Sequence, residues 1–483
     1  MGLLVMLVVA GVLGVVFIST VVGSTSDEIQ RDAATRLALS RAKEALISYA
    51  VTYIDKHPDS VPGFLPCPDL GAVILPEGSA NGVCGAAYQS AIDPGENQLG
   101  RLPWYSLGIE PLRDGSGECL WYAVSATYKN SPEPAMLNWD SIGRFQIAAG
   151  TALMTGATDA DLAVAVILAP GAPYGGQVRG LDAANALVCG GNYQPANYLD
   201  TFGTGASATD NSNPSTNAVA PRWRFNQGVR TNNFNDRNFN DRLVYITARE
   251  IWDAVVRRRD LQNQFRDLTE QVTLCLASYA SAAPGDRRLP WAVPLSQLSF
   301  SLETDYYDVH NDKFGRTPFS VYQSDVETGY VYPSDRYLKS TSGPNGGRCA
   351  TWTAKTDTWW KHWKDNLFYT IADGFTPGDL PPNNCIGSCL RVNSSGSYAS
   401  IVLFAGRANS SQARYSVGLM SVVANYLDSP ENTDVDVDYD SNLGGSFNDM
   451  LYCVNTSTAL TAPVPGAIPL PDAMGPKFWV HKC

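Results

Sequence analysis

The residues best equipped for chemistry are acidic and sulfur-bearing. From Glu431 to Asn442 the chain reads ENTDVDVDYDSN, with Asp434, Asp436, Asp438 and Asp440 at every second position. In an extended conformation that alternation turns all four carboxylates to one side. Such a row repels itself unless water or a cation neutralises it, and calcium takes six to eight oxygen ligands from loops of this kind. Tyr439 stands where an EF-hand loop needs glycine, so that loop type is excluded. A calcium site and a plain acidic surface strand are both compatible with these residues.

Ten cysteines carry the second chemistry. Spacing favours disulfides Cys67–Cys84, Cys385–Cys389 and Cys453–Cys483, and leaves Cys119, Cys189, Cys275 and Cys349 unassigned. Zinc would need two close ligand pairs, and CIGSC at Cys385 has no histidine or second CxxC beside it. An even cysteine count fits an oxidising compartment, where each bridge stabilises by about 2–4 kcal/mol. The four histidines, His57, His310, His362 and His481, are scattered, and no GxSxG, P-loop, HExxH or Cys/His pairing occurs. The expectation is a protein that is not an enzyme. A glycosidase carboxylate pair, whose spacing only the fold sets, stays as a minor alternative. Trp352, Trp359, Trp360 and Trp363 fall in an insertion between Gln323 and Asn366. They could contact sugars or a neighbouring subunit, although core packing or cover for a sheet edge is the commoner use of such a group.

The elements that position these residues begin with Met1–Gly23, in which Ser19 and Thr20 are the only polar side chains. As a helix this stretch is about 35 Å long, enough for a bilayer core. The first basic residue is Arg31, so no Lys or Arg precedes the apolar run as it would in a secretory signal. The simplest expectation is that Met1 is a processed end. From Thr25 to His57 there is no Gly or Pro, and Ile29, Ala33, Leu37, Ala45, Leu46, Tyr49, Ala50 and Tyr53 recur at helical spacing until Pro58. An apolar helix therefore runs into an amphipathic one.

The remainder reads as a diverged repeat. GRLPWYSLG from Gly100 is echoed by GRTPFSVYQ from Gly315, and CLWYAVS from Cys119 by NLFYTIA from Asn366. AVAVILAPGA from Ala163 matches ASIVLFAGRA from Ala399, NYLD occurs at Asn197 and Asn425, and NFNDRLVYI from Asn238 matches SFNDMLYCV from Ser446. A helical stretch precedes each set, ALISYAV from Ala45 and LCLASYAS from Leu274. Thr247 and Glu250 form a capping box opening the second helix, whose apolar face, Ile251 to Tyr279, runs out to about Ser281. Thr201–Ala220, rich in Gly, Ser, Thr and Asn, reads as an exposed loop. The net charge of −12 argues against nucleic acid as a partner.

This layout resembles that of type IV pilins and type II secretion pseudopilins, and large bacterial pilin-like proteins carry segments similar to FLPCPD, RLPW and LWYAVS. The resemblance implies cleavage and N-methylation at Met1 by a prepilin peptidase, residence in the membrane, and then self-association into a helical filament by the pilus assembly machinery. Leu3, Leu4, Val5, Gly11 and Gly14 would make the assembly contacts. The fifth mature residue of the family is usually Glu; Val5 departs from that pattern. Pseudopilins also place calcium in a C-terminal loop, which favours the calcium reading of Asp434 to Asp440. The expected fold is α+β: residues 1–24 form the apolar helix, 25–246 a first helix-on-antiparallel-sheet head, and 247–483 a second, repeated head. The expected function is a structural subunit of an extracellular filament, reached through the bacterial inner membrane. The alternative is a minor or tip pilin, or a membrane-anchored adhesin binding glycans or a cell surface.

Overall fold

A computed structural model describes the chain apart from residues 1, 90–92, 181–183, 185, 204–207, 218–221, 228–238, 282–287, 298–304, 330–336, 340–348, 350, 379–388, 442–443, 445–447, 457–467 and 470–477. For residues 2–26, 216–217, 456 and 468–469 it describes the backbone alone.

Helix α1 (Gly2–Lys56) is continuous and stops just ahead of Pro58, whose ring cannot continue it. Ala38, Leu39, Ala42, Leu46, Ala50 and Tyr53 recur every three or four residues and are buried, giving one apolar stripe. Residues 27–31 of the same helix are exposed. Among the described residues no helix is long and apolar enough to cross a membrane. The apolar stretch expected to do so, with Met1, Leu3, Leu4, Val5, Gly11 and Gly14, lies outside the described side chains, so that expectation gains no support here.

The first sheet holds β1 (Gln98–Arg101), β2 (Trp121–Val124), β3 (Phe145–Ala149), β4 (Ala152–Thr155), β5 (Ala163–Ala169), β8 (Trp223–Gln227) and β9 (Arg242–Thr247), while β6 (Thr201–Phe202) and β7 (Thr209–Asp210) form a separate ribbon. Pairing runs β1-β2-β5-β9, all antiparallel, with β3 beside β5 and the parallel pair β3–β8 further out. Strand β5, AVAVILA, is buried along its whole length because both faces are covered. Ile167 faces the cluster that includes α1, and Val166 and Leu168 face a second one with Trp121, Phe145 and Phe225. The Thr201–Ala220 segment departs from the expected exposed loop. Its Asn211 is fully buried, donating to the Asn226 carbonyl and the Asp241 carboxylate.

Thr247 ends β9 and caps the next helix through the reciprocal bonds with Glu250. The single helix expected to follow is two, α2 (Ala248–Val255) and α3 (Arg259–Ser281). The reason is packing in two directions. Helix α2 lies against α1, whereas α3 lies on the second sheet. Arg258 holds the bend, reaching Asp55 at 2.7 and 3.0 Å and the Val51 carbonyl at 3.0 Å.

The second sheet contains β10 (Phe314–Arg316), β11 (Leu367–Ile371), β12 (Leu390–Val392), β13 (Ser395–Phe404), β14 (Asp438–Tyr439), β15 (Met450–Thr456), β16 (Ile468–Pro469) and β17 (Phe478–Lys482). Short helices α4 (Tyr322–Glu327), α5 (Ala354–Trp363) and α6 (Val417–Met420) flank it. Its order β10-β11-β13-β15 repeats β1-β2-β5-β9 with the same antiparallel sense, and four of the five repeated sequence segments occupy corresponding strands, with NYLD at the end of a short 3-10 turn in each half. One hydrophobic cluster nevertheless runs from Ala38 to Val480 through both halves.

Candidate functional site

The acidic segment does not form the expected row. Val435 adopts φ +60°, a left-handed conformation that strains a β-branched residue and breaks the extended alternation. Downstream of it the Asp436 carboxylate accepts the Asp438 amide at 2.7 Å. Asp438 turns away to a two-pronged pair with Arg391, at 2.8 and 2.5 Å. Asp440 accepts the Ser429 hydroxyl at 2.6 Å, while its amide donates to buried Asn432 at 2.8 Å. Two of the four predicted carboxylates are thus committed elsewhere. What gathers instead is Glu431 with Asp434 and Asp436, each exposed, with carboxylate oxygens within 4.8 Å of one another. The Asp434 charge, more than any other neighbour, raises the Glu431 pKa above its ordinary value. Glu431 was missed because its proximity comes from the turn at residues 431–433, which no alternation pattern signals.

Disulfides join Cys67 to Cys84, Cys119 to Cys189, Cys275 to Cys349 and Cys453 to Cys483. Cys389 is disulfide-bonded and Cys385 lies outside the described residues. Trp359, Trp360 and Trp363 are almost wholly buried, and Trp352 is 8% exposed, so none presents a ring face to a sugar. Trp363 sits at the centre of an aromatic group, 4.3 Å from Trp139, 4.8 Å from Phe265 and 5.5 Å from Trp252 between ring centres.

The repeated motifs converge on a shared polar device. In the first half Tyr198 of NYLD lies between Arg101 of GRLPW and Arg179, at 5.4 and 4.8 Å from the guanidinium carbons. In the second, Tyr426 lies between Arg316 of GRTPF and Arg414, at 5.3 and 4.4 Å. The following aspartates are held alike. The Asp200 and Asp428 amides donate to Asp241 and Asp449 at 2.9 and 2.7 Å, and the Asn240 and Asn448 amides return a bond to Asp200 and Asp428 at 2.7 Å. Burial raises the Asp241 pKa well above the usual carboxylate range and pushes Asp449 up to about 7.

Between the two halves lies a cavity of about 280 Å³, lined from the first by Tyr88, Asp140, Arg144, Asp159, Leu162 and Arg222 and from the second by Asp365, Arg414, Val417 and Met420. No sequence signal pointed to it, since its walls come from segments hundreds of residues apart. Three buried polar atoms of its lining residues lack a hydrogen-bond partner among the described residues, Arg144 Nη1, Asp365 Oδ2 and the Tyr426 hydroxyl. Comparison of the chain with protein-family models, with curated proteins and with solved structures finds no match.

Proposed function

We propose that this chain is a structural subunit of an extracellular filament of the type IV pilus kind, joined to its neighbours through the N-terminal part of α1. The observation that carries this reading is the unequal use of one helix. Helix α1 is uninterrupted from Gly2 to Lys56, yet among the described residues its buried positions begin at Ala38. Residues 27–31 of the helix are exposed, and ahead of them the sequence of residues 2–23 has only Ser19 and Thr20 as polar side chains. A helix of that composition, about 33 Å long, belongs in a bilayer or among other apolar helices. The bacterial inner membrane would hold it before assembly, and equivalent helices of neighbouring copies afterwards. Four disulfides among the described residues fit an oxidising, extracytoplasmic setting. The test is electron microscopy of surface fibres from cells producing the full chain or a Val5→Arg, Val9→Arg variant. Fibres should be lost in the variant while the melting temperature of the body is unchanged. Undiminished fibres from the charged variant would refute the reading, and the chain found only as single copies at fibre ends would make it a tip subunit.

A calcium site at Glu431, Asp434 and Asp436 accompanies this reading. It is favoured by the gathering of three exposed carboxylates that repel one another, while nearby Arg391 is taken up in its salt bridge with Asp438. Together they offer up to six of the six to eight oxygens calcium takes. Calorimetric titration with calcium should give heat that Asp434→Asn abolishes. No heat from the unaltered chain leaves the cluster a solvated surface.

A further inference from the structure

The cavity between the two sheets is lined by three arginines and three aspartates, and their pairing is uneven. Arg414 holds Asp140 at 3.2 Å, and Arg222 holds Asp159. Asp365 lies 3.9 Å from Arg316 and accepts the Tyr306 hydroxyl. Arg144 has no carboxylate partner among the described residues. It is 8% exposed, its guanidinium stacks 5.0 Å over the Tyr88 ring, and its Nη1 donates to nothing. Burial lowers its pKa from the usual arginine value, and neighbouring Arg222 adds to the effect. A guanidinium nevertheless stays charged at neutral pH. A buried charge without a counter-ion destabilises a fold, and replacing it by an apolar side chain is commonly neutral or stabilising. Its unpartnered Nη1 in the lining of a cavity whose rim residues Tyr415, Ser416 and Val417 are exposed points to an anion supplied from outside.

The rest of the lining narrows the class. Met136, Leu162, Val417 and Met420 give the cavity an apolar wall, and Asp365 Oδ2 is an acceptor without a donor. About 280 Å³ suits an occupant of roughly a dozen heavy atoms. We propose that this cavity binds a small organic carboxylate with an apolar body and a hydroxyl or ammonium donor. Arg144 takes the carboxylate and Asp365 takes the donor.

The probe is phenyllactate, titrated calorimetrically into the full disulfide-bonded chain in detergent, beside its neutral amide and Arg144→Met. Phenyllactate should bind, with the amide and the variant each at least tenfold weaker. Without ligand, Arg144→Met should melt no lower than the unaltered chain, an outcome a purely structural arginine would not give. Equal affinity for acid and amide, no phenyllactate binding at millimolar concentration, or full affinity in Arg144→Met overturns the proposal. If Arg144→Met unfolds, Val417→Trp on the exposed rim decides: it should keep the melting temperature and lose binding, and retained affinity overturns the proposal. Phenylalanine in place of phenyllactate then distinguishes an ammonium donor from a hydroxyl.

Discussion

His362 is 2% exposed, and its Nδ1 accepts the Leu137 amide at 2.8 Å, while its carbonyl accepts the Asn138 side chain at 2.8 Å. That acceptor role requires the neutral ring with its proton on Nε2. Burial pushes its pKa down to about 3, and the charges of Lys364 and Lys361 act in the same direction. The linkage follows from the ordinary value of 6.5 in the unfolded chain. Between pH 6.5 and about 3 the unfolded chain binds a proton that the folded one refuses. The stabilisation from His362 is therefore complete above pH 6.5 and is lost as pH falls towards 3. Asp449, raised to about 7, acts in the opposite sense: its contribution is present below 3.8 and lost as pH rises through 7. Comparing urea denaturation of the unaltered chain with that of His362→Gln isolates the histidine, because Asp449 is common to both. Gln keeps an acceptor for the Leu137 amide without a titrating group. The stability difference between the two should move in favour of the variant from pH 7 to pH 4; a difference that does not vary with pH would show that His362 is not held neutral.

At the scale of elements, the two sheets are tied to their covering loops by the same arginine–tyrosine–arginine stack. Each tyrosine is buried, with two guanidiniums within 5.4 Å of its ring centre, and cation–π contacts of this desolvated kind contribute about 2 kcal/mol apiece. Tyr198→Leu and Tyr426→Leu should each destabilise by about 2–4 kcal/mol in urea. Similar losses at the two sites are expected, and a negligible loss at either would show that its stack is incidental. Much of this level was readable in advance. Four of the five repeated segments fell on corresponding strands, and NYLD on a matching short 3-10 turn, because VAVILA and IVLFA must be buried and the Gly, Asn and Asp clusters must turn between them. The partners Arg179 and Arg414 were not readable, since each sits in a loop of no regular period. They can be recognised only after the fold, where Arg179 bonds the Tyr198 carbonyl at 3.3 Å and Arg414 the Tyr426 carbonyl at 3.0 Å. The break at Arg258 was hidden for a related reason. Helical spacing persists through Val255 and Leu261, and only the different packing partners, α1 for α2 and the second sheet for α3, account for the bend. The acidic row misled because periodicity reports where side chains would point in a strand. It carries no information on a backbone such as that of Val435, which leaves the strand conformation.

The whole molecule departs most from a picture of two beads on a helix. Trp139 from the first half packs on Trp363, Phe265 and Phe404 from the second, and α2 contributes Trp252 to the same group. Polar contacts cross the same seam: Trp359 Nε1 donates to the Ser60 carbonyl at 3.1 Å, and the Arg414 guanidinium meets Asp140 at 3.2 Å. Apolar burial is strongest where side chains interlock without voids, so an aromatic hub drawn from both halves couples their unfolding. In the proposed filament, that coupling would keep either head from opening alone under load. Trp363→Ala removes a fully buried indole from the centre of the hub and should destabilise by about 3–5 kcal/mol. In calorimetry the body of the unaltered chain should melt in one transition, with near-ultraviolet dichroism and tryptophan fluorescence coinciding. Trp363→Ala should shift that transition downwards as a unit. Two resolved transitions in the unaltered chain, or a shift confined to one half, would mean that the halves fold independently and that the shared core is a contact rather than a joint.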